Sequence, residues 1–259
     1  MSRHFLDRKL AKWAAQEPES ADAHLCHGAR LLKMAWAVRG YGRGASISRE
    51  RWATFYEMLD KAREALLRAA ELNPADPTPW ALLICVAVFH SEPSRERDYF
   101  HEAIERDPGN WHAHMNQLLG LTKKWSGSHE TMFDFARGVH TPYPADSLLN
   151  CLVLKAHIEY WKYLRMFDED EEAAEAHLKD PDVIAECLDV YNRVLAHRDD
   201  HDHDTMFVRV NAAATFWVLR QKEPLRRELE HLGHRLHNIH WRWLAAEGEL
   251  EQAKRFAFG

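Results

Sequence analysis

The chain has 259 residues, 46% of them hydrophobic, 29% charged and 11% aromatic, with a formal net charge of −6. Such a composition excludes wholesale disorder, and so mild a charge excludes a global nucleic-acid footprint. The longest apolar run, Trp80 to Phe89, is about half of what a bilayer span requires, so no membrane segment is expected.

The opening MSRHFLDRKLAKWAAQEPES lacks the apolar centre of a secretory leader and reads as an amphipathic helix. From there apolar positions recur every three or four residues, and strict alternation over a strand's length is absent. The spacing predicts helices near 3–16, 20–39, 49–72, 78–90, 94–106, 110–123, 129–138, 145–167, 181–197, 204–221, 224–240 and 248–257, about twelve in all. Asn-Pro, Asp-Pro and Gly punctuate them. Within the N-terminal helices, Arg30, Lys33, Arg39, Arg43, Arg49 and Arg51 face only Glu50. The run reads as solvated faces, with an anion or nucleic-acid patch over Arg30–Arg51 as the alternative. GYGRGAS, at Gly40 to Ser46, follows a helix and lacks the Gly-Lys-Ser/Thr ending of a phosphate loop, so it is an interhelical connection.

The next stretch repeats itself. RAAELNPADPTPW from Arg68 and HEAIERDPGNW from His101 align Ala69 with Ala103, Glu71 with Glu105 and Pro74 with Pro108, each 34 residues apart, and a further 34 reaches Pro142. Taking the prolines as closing residues, one full unit runs from Pro77 to Asn110, with Trp80 and Leu83 in its first helix and Phe100, Ala103 and Pro108 in its second. These positions resemble the tetratricopeptide repeat, whose period is the same. Ile84 stands where that family usually has glycine and Glu96 where it has a small residue. The resemblance covers residues 43–144, one good repeat between two degenerate ones. KWSGSHETMFDFAR, Lys124 to Arg137, with the upstream RDPGNWHAHMNQLLGL, also resembles a signature of uncharacterised bacterial tetratricopeptide-like proteins. That resemblance implies a helical-repeat protein and carries no catalytic residues.

Chemical motifs are weak. HEAIE at His101 and HETMF at His129 begin like a helical zinc-protease motif but lack the second histidine, and no Gly-x-Ser-x-Gly elbow is present. Cys26, Cys85, Cys151 and Cys187 show no Cys-x-x-Cys pair and read as reduced thiols of a cytoplasmic protein. Between Asp168 and Asp204 fourteen carboxylates oppose three basic side chains. There HRDDHDHD, His197 to Asp204, reads as a wet turn in which Asp202 or Asp204 caps the next helix; a divalent-metal site using Asp200, His201, His203 and Asp204 is the alternative. His231, His234, His237 and His240 recur every third residue, and on one helix they fan around the polar side instead of converging on an ion.

The reading is an all-α chain, residues 1–259 a single right-handed α-solenoid of antiparallel helix pairs, degenerate over 1–42 and 145–259. Its expected function is non-catalytic: a scaffold binding a peptide or partner helix in a concave groove, with no cofactor. First-helix positions facing that groove are Thr78, Ala81, Cys85, Val88 and Phe89, then His112, Met115, Leu119, Thr122 and Lys123. Of these, Thr78, Cys85, Phe89, His112, Met115 and Lys123 are the candidate partner-binding set. Filling of the groove by the terminal helices, a histidine/aspartate metal protein or metal-dependent enzyme, and the anion binder remain open alternatives.

Overall fold

A computed structural model describes residues 3–40, 44–138, 143–199, 202–238 and 249–259. Helix accounts for 81% of the described residues, and no strand occurs among them. The described residues form thirteen α-helices: α1 (Arg3–Gln16), α2 (Ala21–Arg39), α3 (Arg49–Leu72), α4 (Thr78–His90), α5 (Pro93–Arg106), α6 (Trp111–Gly120), α7 (His129–Gly138), α8 (Leu152–Tyr163), α9 (Glu171–Lys179), α10 (Pro181–Val194), α11 (His203–Val218), α12 (Lys222–Leu232) and α13 (Glu249–Phe258). They fall into two compact units, 1–120 and 121–259, and the boundary lies inside the 43–144 stretch.

In the first unit the helix ends follow local chemistry. Ser20 and Ser48 cap α2 and α3 through their side-chain oxygens. Pro79 and Pro93 sit in the first turns of α4 and α5, where a missing N–H leaves no helical bond unmade. α2 lies against α3, and α4 against α3, α5 and α6. The α2–α3 approach is close because Gly28 has no side chain: a Cβ there would stand 2.7 Å from Leu66 Cγ. Leu59, Leu66, Leu83, Ile84 and Phe55 form the centre, with Trp111 closing it. Full burial of each such side chain is worth about 1.5–3 kcal/mol.

The closing turns at Pro74 and Pro108 are one turn made twice. Asn73 N–H donates to Ala69 O and Asp107 N–H to Ala103 O, both at 3.0 Å, and Asp76 and Asn110 then close on Asn73 and Asp107 at 3.2 and 3.1 Å. Both alanines are fully buried. Pro142, the third closing proline, lies outside the described residues. Of the unit's signature residues, Ala103 is fully buried but Trp80 and Phe100 are only half-buried. Phe100 packs edge-on to His114, and Trp80 lies against Tyr99 with the Arg106 guanidinium over its ring, so both cover an edge of the core.

The second unit is built on α11, almost every residue of which is buried. α8 and α12 pack on it, and Tyr191 of α10 meets Phe216 edge-on at 4.9 Å. Two expected helices are shorter than their periodicity suggests. Residues 145–167 divide into a 3-10 turn (Leu148–Cys151), α8 and a π turn (Leu164–Asp168). Residues 224–240 break at Gly233, whose φ of 50° stops α12. A 3-10 segment, Gly233–Asn238, follows. Conversely α9 forms where the sequence suggested only an acidic stretch, because Asp170 caps it by accepting from Ala173 N–H.

Glu96, at the repeat position usually given to a small residue, is 3% exposed. Gly120 makes room for it, since a Cβ there would stand 2.1 Å from Glu96 Oε1. Gln117 Nε2 donates to that oxygen at 3.0 Å. Burial pushes the carboxyl up to about 7 from an ordinary 4.5. A folded value above the unfolded one means its stabilisation is complete below about 4.5 and is lost as pH rises through about 7. Glu96→Gln is therefore expected to stabilise the chain by about 2–3 kcal/mol at alkaline pH and by little under acidic conditions, read from urea-denaturation midpoints.

Candidate functional site

In the first unit the expected groove is partly occupied. Thr78 is exposed at the start of α4 and Cys85 is half-buried, but Ala81, Val88 and Phe89 are buried. Phe89 packs edge-on to Trp36 of α2 at 4.8 Å and lies 6.3 Å from Phe55, so an N-terminal helix fills the apolar end of the groove. His112, Met115 and Leu119 form a half-buried stripe on α6. Thr122 and Lys123 belong to the second unit, where Lys123 Nζ sits 4.7 Å above the Tyr163 ring. Burial pushes the Cys85 thiol up to about 12, which removes it as a nucleophile at neutral pH.

The N-terminal basic run is largely consumed by the fold. Arg30 Nε donates to Asp7 Oδ1 at 2.5 Å. Arg51 caps the end of α2 by donating to Val38 O and Arg39 O at 2.7 and 2.8 Å. The Arg39 guanidinium lies over Trp36 and Trp52. Arg43 lies outside the described residues.

The acidic turn is a helix cap at its described end. Asp202 Oδ1 accepts from the backbone N–H groups of Asp204 and Thr205, both at 3.0 Å, and Thr205 Oγ1 donates to Oδ2 at 2.6 Å. These bonds, the Thr205 hydroxyl first, hold the Asp202 carboxyl below its usual range. His203 has a side chain 80% exposed and meets Asp204 at 3.4 Å. Asp200 and His201 lie outside the described residues, as does His240. The histidine series does not share one helix: His231 lies in the last turn of α12, and His234 and His237 follow the break at Gly233.

The second unit assembles a polar cluster that the motif search missed. His157 is 4% exposed on α8. Its Nε2 meets Glu186 Oε2 at 2.9 Å, and its Nδ1 lies 3.2 Å from Nε2 of His177 on α9. Arg137 of α7 holds Glu186 with two parallel donations of 2.8 and 2.9 Å. Glu186 therefore falls to about 2, through Arg137 first and His157 second. The tautomer with its proton on Nε2 would donate to Glu186 and turn the Nδ1 lone pair toward His177. His177 drops to about 4, by burial and then by the neighbouring His157. A histidine held below its ordinary 6.5 contributes stability above that pH and loses it as pH falls toward about 4. Phe133 and Tyr160 pack on this imidazole pair.

A second group lies on the same helix. Lys124 and Lys155 donate to the two oxygens of buried Glu159, the latter at 2.7 Å. Burial would raise this carboxyl, but Lys124, Lys155 and Lys162 outweigh it and hold it well below its usual range. Lys162 is pushed down to about 7 by burial and by Lys155.

Comparison with known proteins adds one match. A family model described as a domain of unknown function, DUF4034, matches residues 2–108, which comprise α1 to α5 and their connections. None of the curated proteins matches the chain. The matched segment ends before α7, so it does not include the histidine cluster.

If the acidic turn acts as a cap, Asp202→Ala removes two backbone acceptor bonds and is expected to destabilise the chain by about 1–2 kcal/mol in urea denaturation. His203→Ala and Asp204→Ala are expected to stay within about 0.5 kcal/mol of the parent.

Proposed function

We propose that the chain is a non-catalytic helical-repeat binding module whose first unit is a short, degenerate, tetratricopeptide-like right-handed solenoid. The observation that carries this reading is the duplicated closing turn at Pro74 and Pro108, with the same backbone bonds 34 residues apart. Two contacts support it. Arg106 Nε donates to Pro74 O at 2.6 Å, tying the second helix of one repeat to the closing turn of the one before. The first helices α2, α4 and α6 also lie in sequence against one another. Such pairs bury their faces only by stacking and leave a row of first helices for a partner. With Phe89 turned into the core, the binding face narrows to Thr78, Cys85, His112 and Met115, which suits a short apolar segment of a protein or peptide. The four cysteines are free thiols and no described helix is long and apolar enough to cross a membrane; both fit a cytoplasmic role.

The test is capture of partners from native lysate by the full chain, compared with Cys85→Glu and Met115→Glu and with Glu64→Lys as a surface control. A protein retained by the parent and the control and lost from both charge variants is the expected result. Identical capture by all four chains removes the groove from consideration.

A second reading, metal binding, is favoured by one distance. Nδ1 of His157 and Nε2 of His177 stand 3.2 Å apart, and two nitrogens on one tetrahedral zinc are about 3.3 Å apart. Glu186 on the far nitrogen of His157 is the carboxylate that orients such a ligand. Calorimetric titration with zinc should then show one equivalent bound by the parent and none by the His157→Gln/His177→Gln chain. Equal uptake by both chains rejects these ligands.

A further inference from the structure

Among the described residues the exposed large apolar side chains include two adjacent pairs. Phe5 and Leu6 on α1 are each 42% exposed, and Met166 and Phe167 on the π turn after α8 are 49% and 52% exposed. Scattered single apolar side chains on a surface need no explanation, but contiguous ones mark a contact surface. The first pair stands among cations. Successive residues of a helix turn by about 100°, so Phe5 lies about 180° from Ala14, the buried residue that sets the inner side of α1. Lys9 and Lys12 fall within about 40° of Phe5 on the outer face, and both are exposed. Lys9 Nζ stands 4.4 Å above the Phe5 ring. Asp7, the one acid of this helix, is turned inward to Arg30 of α2.

The second pair stands among acids. Phe167 stacks on Tyr163, the rings 5.0 Å apart and 9° from parallel, which fixes the exposed ring in place. Glu169 then ends the π turn at a φ of 56°, a conformation that a residue with a side chain adopts only under strain. Single π turns inside helices are rare and recur at functional sites. Five exposed carboxylates, Asp168 to Glu172, follow the apolar pair directly. The cations beside them are Arg165, paired with Glu171 at 2.9 Å, and Lys123 over the Tyr163 ring. Five acids against two bases leave the turn negative, where the outer face of α1 is positive.

We propose that copies of this chain associate head to tail, the outer face of α1 of one copy, Phe5 with Lys9 and Lys12, docking on the Met166–Phe167 turn and its carboxylates in the next. The helix supplies what the turn calls for, an aromatic anchor with cations one turn away on the same face. Met166 is an unbranched thioether that shapes itself to an aromatic ring. A small cation would leave the apolar pair in water, and a second acidic turn would be repelled by like charge. Because the two surfaces differ, the contact is heterologous. Each junction leaves one free helix and one free turn at its ends, so the association continues into a ring or an open chain. So small a contact makes it weak, and the exposed charges make it sensitive to salt.

The experiment is sedimentation velocity of the full-length chain. The sedimentation coefficient is expected to rise between about 10 µM and about 1 mM chain, and to fall back toward the monomer's when sodium chloride is raised from about 0.05 to about 0.5 M. A helix variant, Phe5→Asp with Lys12→Glu, and a turn variant, Phe167→Lys with Glu172→Gln, change only exposed residues. Each alone is expected to stay monomeric over the same range, with the parent's helix content by circular dichroism. Mixed in equal amounts they are expected to form a heterodimer and nothing larger, because the helix variant keeps an intact turn and the turn variant an intact helix. If either variant fails to fold, Lys9→Glu with Lys12→Glu, or Met166→Glu, takes its place. A parent that is monomeric at about 1 mM, assembly indifferent to salt, self-association of either variant alone, or a mixture that stays monomeric or grows beyond a dimer overturns the proposal.

Discussion

A helix that is apolar on every side has no solvent face and must be surrounded, and two such helices organise this protein. In the first unit it is α4, where Ala81, Leu83, Ile84, Val86, Ala87, Val88 and Phe89 are all buried. α3, α5 and α6 pack around it. In the second it is α11, flanked by α8 and α12. The neighbours are amphipathic because each has only one face to give, and their order along the chain follows from the short links that return them to the same centre. Small residues set how closely they return: Gly28 admits Leu66, and Gly120 admits Glu96.

Surrounding a helix completely also traps whatever polar groups it carries, and the chain handles them in three ways. Asn116 of α6 gives its amide to the carbonyl of Ala81, an ordinary satisfied core contact. Glu159 and Glu186 are balanced by cations, Lys124 and Lys155 for the first and Arg137 for the second. Glu96 accepts from the Gln117 amide, and burial outweighs that bond and the nearby Arg97 charge, so its titration shifts instead. Burying charge costs several kcal/mol per ion before pairing returns any of it. Arg209 and Glu228 are the extreme case, an ion pair in the core with side chains 2% and 1% exposed.

The partner-binding proposal sits on the first unit. On α4 and α6 the exposed surface is what remains after Trp36 has taken the apolar end of the groove, so recognition there rests on a small mixed patch. The DUF4034 match covers α1 to α5 and therefore describes the packing around α4, not the polar centre built by α7 to α12.

Helix positions were legible in the sequence because they depend on local terms: apolar spacing, caps and proline. The ends of α3, α4 and α7 match their periodicity, and the Asp202 cap follows from an aspartate placed just ahead of an apolar helix. The 34-residue recurrence of Ala69 and Ala103 was legible for the same reason, since a repeat must solve the same packing problem twice. What it could not supply was which faces meet. A lone arginine in TMFVRVNAAATFWVL and a lone histidine in LVLKAHIEY were visible as charges inside apolar runs, but their partners Glu228 and Glu186 lie 19 and 29 residues away. Phe89 has the spacing of groove lining, but Trp36 packed against it makes it core, and the histidines of 231–237 have the spacing of one helix that Gly233 divides by its positive φ. The sequence by itself determined the helices and their period, because those are set by neighbours along the chain; the tertiary structure alone decided which polar groups are buried together, because desolvation and pairing depend on what the rest of the chain places beside them.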